Sequence, residues 1–153
     1  MKTYGPEDLE LHDDPIPMIR RRASWFVGDK GRGRYLLSCL LRDLIYLDVL
    51  PVRGDKISQW WVVYADRDWL SVGGPIDLKP FYQTIPFPVI GRNSMRTEVL
   101  VTALADAAVT IGANGITWLA GDRDSCVLPS TLGLEPPNGG SGRTLAFTIN
   151  GDE

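Results

Sequence analysis

Three features of the chain predict an α+β fold, a two-layer sandwich with helices on one face of a mostly antiparallel or mixed sheet. Two segments repeat apolar residues at three- and four-residue steps, one through Leu36, Leu37, Leu40, Leu41, Leu44, Ile45 and Leu47, the other through Met95, Val99, Leu100, Ala103, Leu104 and Ala107. Short runs rich in aromatic and β-branched residues alternate with Gly, Pro and Asp punctuation, as strands and their turns do. The elements follow one another as helix, hairpin, helix and then strands, with no internal repeat and no linker, which suits helices packed on an antiparallel sheet.

The opening residues to Met18 form an acidic arm carrying Glu7, Asp8, Glu10, Asp13 and Asp14, where Gly5-Pro6 and Pro15-Ile16-Pro17 oppose one continuous helix. A single domain is expected over 19–150. Its first helix covers Leu36 to Leu47 and stops at Pro51 and Gly54. Ile57 to Ala65 reads as one buried strand, Asp66-Arg67-Asp68 as a turn, and Trp69 to Val72 as the second strand of a hairpin. Three prolines between Lys79 and Pro88 indicate an irregular loop or lid. Asn93 or Ser94 caps a second helix running to about Val109. Strands are then expected at Ile116 to Ala120, at Cys126 to Leu128 and, after the Gly/Pro-rich stretch from Pro136 to Gly142, at Thr144 to Ile149.

A chain of 153 residues with 44% hydrophobic and 23% charged residues folds as an ordinary domain without metal or disulfide staples. Its apolar runs are too short to cross a bilayer. The net charge of -3 opposes nucleic acid as a primary ligand, since phosphate binding needs a basic face. Cys39 and Cys126 form no disulfide framework, and the opening residues lack the apolar core of a signal peptide, so a cytoplasmic location with reduced thiols is expected.

His12, the only histidine, lies in the acidic arm, so a Ser-His-Asp or Cys-His mechanism lacks its base and a zinc site lacks its ligands. The Asp pairs of 66–68 and 122–124 resemble hard-cation ligands in spacing, but each falls at an expected turn where Asp is favoured anyway. Two helix starts offer amides to an anion: the loop Gly28 to Arg34, which lacks the ending of a P-loop, and Gly91 to Arg96, where two arginines join a capping residue. Of the tryptophans, Trp25, Trp60, Trp61, Trp69 and Trp118, most belong to the core, and any exposed one would mark an interface.

The segment Ile19-Arg20-Arg21-Arg22-Ala23-Ser24-Trp25-Phe26-Val27-Gly28-Asp29 resembles the opening of the ATPase domain of the DNA gyrase B subunit, whose pattern runs Val/Ile-Arg-Lys-Arg-Pro-Gly-Met-Tyr-Ile-Gly-Asp. The resemblance implies the fold of the wider GHKL family. In that family a helix carries an acidic base and a magnesium-binding Asn, a hairpin ends in an adenine-binding Asp, a lid leads to a glycine-rich helix start, and a late strand supplies a Thr. On this alignment Cys39 stands for the catalytic Glu, Asp43 for the Asn, Gly73 and Gly74 for the adenine-binding Asp, and Thr144 for the late Thr. The implied ATPase site is dismantled, and fold does not carry function across such losses.

Two functions are therefore expected in competition. One is a non-catalytic binding protein without cofactor that neutralises or regulates a protein partner, in the manner of a toxin immunity protein. Its acidic arm (Glu7, Asp8, Glu10, Asp13, Asp14) would meet a basic surface. The other is a nucleotide- or anion-binding protein with residual ATPase-like activity. It would take ATP with Mg through Asp43, Arg92, Asn93, Arg96 and Thr144.

Overall fold

The computed structural model describes residues 14–71, 74–89, 92–124, 126–133 and 135–149, with the side chains of 87–89 and 92–94 left aside. Among the described residues four helices, α1 (Ile16–Arg21), α2 (Ala23–Val27), α3 (Arg32–Tyr46) and α4 (Glu98–Leu104), accompany seven strands. The strands are β1 (Val52–Ile57), β2 (Trp60–Ala65), β3 (Pro86–Val89), β4 (Arg92–Met95), β5 (Ala107–Gly112), β6 (Gly115–Ala120) and β7 (Arg143–Thr148). Five of them form one sheet in the order β1-β2-β7-β5-β6, with every neighbouring pair antiparallel, and β3 and β4 make a separate hairpin.

The predicted α+β class is observed, with a wholly antiparallel sheet among the described residues. The expected first helix is α3. Its Leu36, Leu40 and Leu44 recur at four-residue steps and are buried against Trp61, Val63 and Ala65 of β2 and Leu145 and Phe147 of β7. Gly54 lies in β1 rather than at a helix stop, because a side chain there would press on Leu37 and Leu41 of α3. The helices cover one sheet face. Trp60, Val62, Val109, Ile111 and Ala146 point to the other, where Leu132, Leu128 and Cys126 from the irregular segment after β6 pack over them. This second cover explains why β2, β5 and β7 are buried almost throughout, on both faces.

Four expected elements differ. The strand expected over Ile57 to Ala65 is the end of β1, a turn at Ser58-Gln59 and all of β2; polar, exposed β1 carries little apolar signal. Trp69–Ser71 is a 3-10 turn, because Asp68 Oδ1 accepts the Leu70 N–H (3.0 Å) and its carbonyl accepts the Ser71 hydroxyl (2.7 Å). The second helix starts after Thr97, with residues 92–95 in β4, and ends at Leu104. Beyond it Ala105 is extended, the Asp106 N–H donates to the Thr148 carbonyl (2.8 Å), and the alanine-rich run joins the sheet as β5. Residues 126–128 form no strand; Cys126 and Leu128 serve as cover instead, while Val127 is exposed. The irregular stretch expected from Lys79 to Pro88 holds a 3-10 turn, Lys79–Phe81, and the start of β3.

Candidate functional site

Asp43 joins α3 to the start of α4. It is 1% exposed, and its Oδ2 accepts both the backbone N–H (2.9 Å) and the hydroxyl (2.7 Å) of Thr97. Its Oδ1 accepts from Arg42 Nη2 (3.0 Å). Thr97 is the residue at the N-terminal cap of α4 and makes no capping bond with its own side chain, and a carboxylate from another helix satisfies its backbone N–H, one of the amides a helix start leaves without an intrahelical partner. Glu98, the first residue of α4, is 2% exposed and pairs with Arg96. Burial holds the Glu98 carboxyl above its ordinary value of 4.5 despite the attraction of Arg96, and the neighbouring charge of Asp43 adds to the rise.

Arg96 also lines an open cavity of about 270 Å³ bounded by Trp69, Leu70, Pro75, Lys79 and Ile85. A second cleft, of about 460 Å³, lies where Arg20 and Arg32 approach Asp106 and Gly121. There Arg20 Nε donates to the Ala103 carbonyl (2.8 Å), satisfying the end of α4.

The structure brings Asp43 and Arg96 into one neighbourhood through Thr97 and Glu98. It does not bring Thr144 there. Thr144 is buried on β7 opposite Tyr64 and Ile111, and the alternation of strand side chains puts it with Ala146 on the face away from α3. Arg92 and Asn93 lie on strand β4 rather than at a helix start, and their side chains are outside the described part. Glu7, Asp8, Glu10 and Asp13 of the arm, and Gly73, also lie outside the described residues. Asp14 accepts the Ile16 N–H at the start of α1 (3.1 Å).

The glycine-rich loop before α3 closes on itself. Arg32 Nε donates to the Gly28 carbonyl (2.8 Å) and its guanidinium lies 3.9 Å from Asp29, which also accepts from Ser24. Cys39, where the gyrase B resemblance expects a base, is buried, and burial pushes its thiol above the ordinary 9.0, so it stays protonated at neutral pH. Among the described residues no group of three His, Cys, Asp or Glu is placed to hold a metal ion, and no helix is long and apolar enough to cross a membrane.

Glu98, the bonds of Thr97 to Asp43 and the pairing of Asp68 with Arg143 escape the sequence reading, which places Trp69 among the core tryptophans and Asp68 at a turn. Asp68 is the expected turn aspartate, with its Oδ1 accepting the Leu70 N–H, and it does more: its carboxylate accepts from Arg143 Nε (2.7 Å) and Nη2 (2.9 Å), while Arg143 Nη1 donates to Thr110 Oγ1 (2.8 Å). Only the Asp-Arg-Asp spacing draws attention to Asp68, and it points to a turn. No family model, curated protein or solved structure matches this chain.

Proposed function

We propose that the chain is a non-catalytic binding protein, a degenerate ATPase-like scaffold that neutralises or regulates a protein partner as a toxin immunity protein does. The carrying observation is a set of exposed aromatic and apolar residues on α2, α3 and just beyond α3. Trp25 is 78% exposed under the guanidinium of Arg22 (4.6 Å to the ring centre), and Tyr35, Ile45, Tyr46 and Leu50 are each about half exposed. On α3, Tyr35, Ser38, Arg42, Ile45 and Tyr46 recur at three- and four-residue steps on the side opposite Leu36, Leu40 and Leu44. Aromatic residues with arginine are the side chains that dominate protein interfaces.

Two facts weaken the nucleotide reading. Asp43, its cation ligand, already accepts from Thr97 and Arg42, and a bound ion would have to displace those donors. The remaining general base position holds the neutral thiol of Cys39. The acidic arm of Glu7, Asp8, Glu10, Asp13 and Asp14 would suit a basic partner, since complementary charge speeds association.

The test is co-elution of the full chain with candidate partners encoded in its genomic neighbourhood. A complex is expected, and Trp25→Ala and Tyr46→Ala should weaken it about tenfold or more without lowering the melting temperature of the free chain. Failure of all neighbours to bind, together with a thermal shift by ATP and magnesium, would reverse the choice.

A further inference from the structure

We infer that strand β6 pairs with β6 of a second copy of this chain, antiparallel, joining the two sheets into one. In the order β1-β2-β7-β5-β6 the sheet has two edges, and β6 is hydrogen-bonded on one side only, to β5. The N–H and C=O groups on the outer side of an edge strand need partners, and among the described residues no backbone group pairs with β6 there. Natural edges are commonly blunted by charged side chains, above all lysine, or by proline. Edge β1 follows that rule with Arg53, Asp55 and Lys56, all exposed. Edge β6, Gly-Ile-Thr-Trp-Leu-Ala, has neither a charge nor a proline.

Charge and side-chain pairing name the occupant. A charged segment finds no counter-charge on β6, whereas a copy of β6 approaches it with no like charge to oppose. The pairing with β5 shifts register between Ala108 and Val109 and leaves Leu119 unmatched, so the regular stretch of β6 is Gly115 to Trp118. A two-fold axis through Thr117 sets Ile116 opposite Trp118 of the second copy, twice over, and Thr117 opposite its own counterpart. Aromatic with β-branched and Thr with Thr are both pairs that stabilise antiparallel strands. Trp118 packs on the cluster of Trp60, Val62 and Ile111 on the face away from the helices, and strand alternation puts Ile116, 40% exposed, beside it on that face. The axis stands normal to the sheet, so the helices of both copies stay on one side. Pairing consumes both uncharged edges and leaves charged β1 at each end of the doubled sheet, so association closes at two copies. Nothing of the α2 and α3 surface enters this pairing, and either can fail without the other.

Sedimentation velocity of the full chain between about 5 and 500 µM should show a monomer–dimer equilibrium, weak because one strand pair is a small interface. Thr117→Lys and Thr117→Glu each oppose like charges across the axis and should raise the dissociation constant about tenfold or more, while an equimolar mixture of the two should recover the dimer. Ile116→Lys, at an exposed position, should weaken the dimer similarly, and Lys56→Glu on β1 should leave it unchanged. Circular dichroism reports the fold of each variant. A wild-type chain that is monomeric throughout would overturn the pairing and leave the edge to a strand of another chain. A dimer undiminished in folded Thr117→Lys and Ile116→Lys chains, or weakened equally by Lys56→Glu, would overturn it as well. A mixture of the Lys and Glu chains that stays apart would overturn the register through Thr117.

Discussion

Arg143 grips Asp68 with two parallel hydrogen bonds, Nε to Oδ1 at 2.7 Å and Nη2 to Oδ2 at 2.9 Å, although 75 positions separate them. The guanidinium lies over Gly112, where a Cβ would overlap it, and is held from its other side by Thr110. Both partners are less than a tenth exposed, so the pair ties the start of β7 to the turn after β2. Removing one member strands a buried charge. Asp68→Ala should cost about 3–5 kcal/mol of stability by urea denaturation. Gly112→Ala, which displaces the guanidinium without touching either charge, should cost about 1–3 kcal/mol. A loss under about 0.5 kcal/mol in both would show that the bridge does not hold the sheet.

The Asp43 carboxylate fastens α3 to α4 through two bonds to one residue, Thr97. A double-mutant cycle of Asp43→Asn and Thr97→Val should return a coupling energy of about 1–3 kcal/mol. Millimolar magnesium should leave the wild-type melting temperature unchanged, since ion binding would sacrifice these bonds. A magnesium-dependent rise that disappears in Asp43→Asn would instead assign the carboxylate to a cation.

Glu98 makes stability depend on pH with a defined sign. Its carboxyl is raised above 4.5 chiefly by burial, with Arg96 pulling the other way and Asp43 pushing further up. Between 4.5 and that raised value the folded chain holds a proton the unfolded chain has released. The contribution of Glu98 is therefore greatest below 4.5 and declines as pH rises through the window, levelling off once the folded group also ionises. Glu98→Gln should gain on the wild type as pH rises from 4.5 and then keep a constant offset, as urea midpoints across a pH series would show. Parallel profiles for the two chains would rule this out.

Helix α3 is legible because its leucines repeat with the helical period and one face is buried. Strand β7 and the β5 to β6 turn are legible through alternation and through Gly112 and Gly115. The boundary between α4 and β5 is not, because no Gly or Pro marks it: Ala105-Asp106-Ala107 continues an apolar pattern that only the pairing of β5 with β7 turns into a strand. Edge strand β1 hides for another reason. Its exposed Arg53 and Lys56 stack on the rings of Tyr64 and Trp61 of β2, so its contribution comes from side chains that a hydropathy pattern counts as loop. In the candidate site, Asp43 and Arg96 are reached from sequence, as is Trp69 as a core residue, whereas the roles of Thr97 and Glu98 become visible only when α3 and α4 converge.

Trp25 and Trp69 should respond oppositely to truncation. Trp69 is 1% exposed in the main core with Phe81, and Trp69→Ala removes a large side chain that no neighbour can replace, at a cost of about 3–5 kcal/mol. Trp25 is 78% exposed and touches chiefly the Arg22 guanidinium, a contact worth about 0.5–1 kcal/mol at an exposed site. Trp25→Ala should accordingly melt close to the wild type. An indole that is exposed and leaves the stability of the free chain unchanged is available to a partner, as the proposed binding role requires. Calorimetry of the two variants, run beside the co-elution experiment, separates these roles. A large loss in Trp25→Ala would make it structural and remove the main support for the binding face.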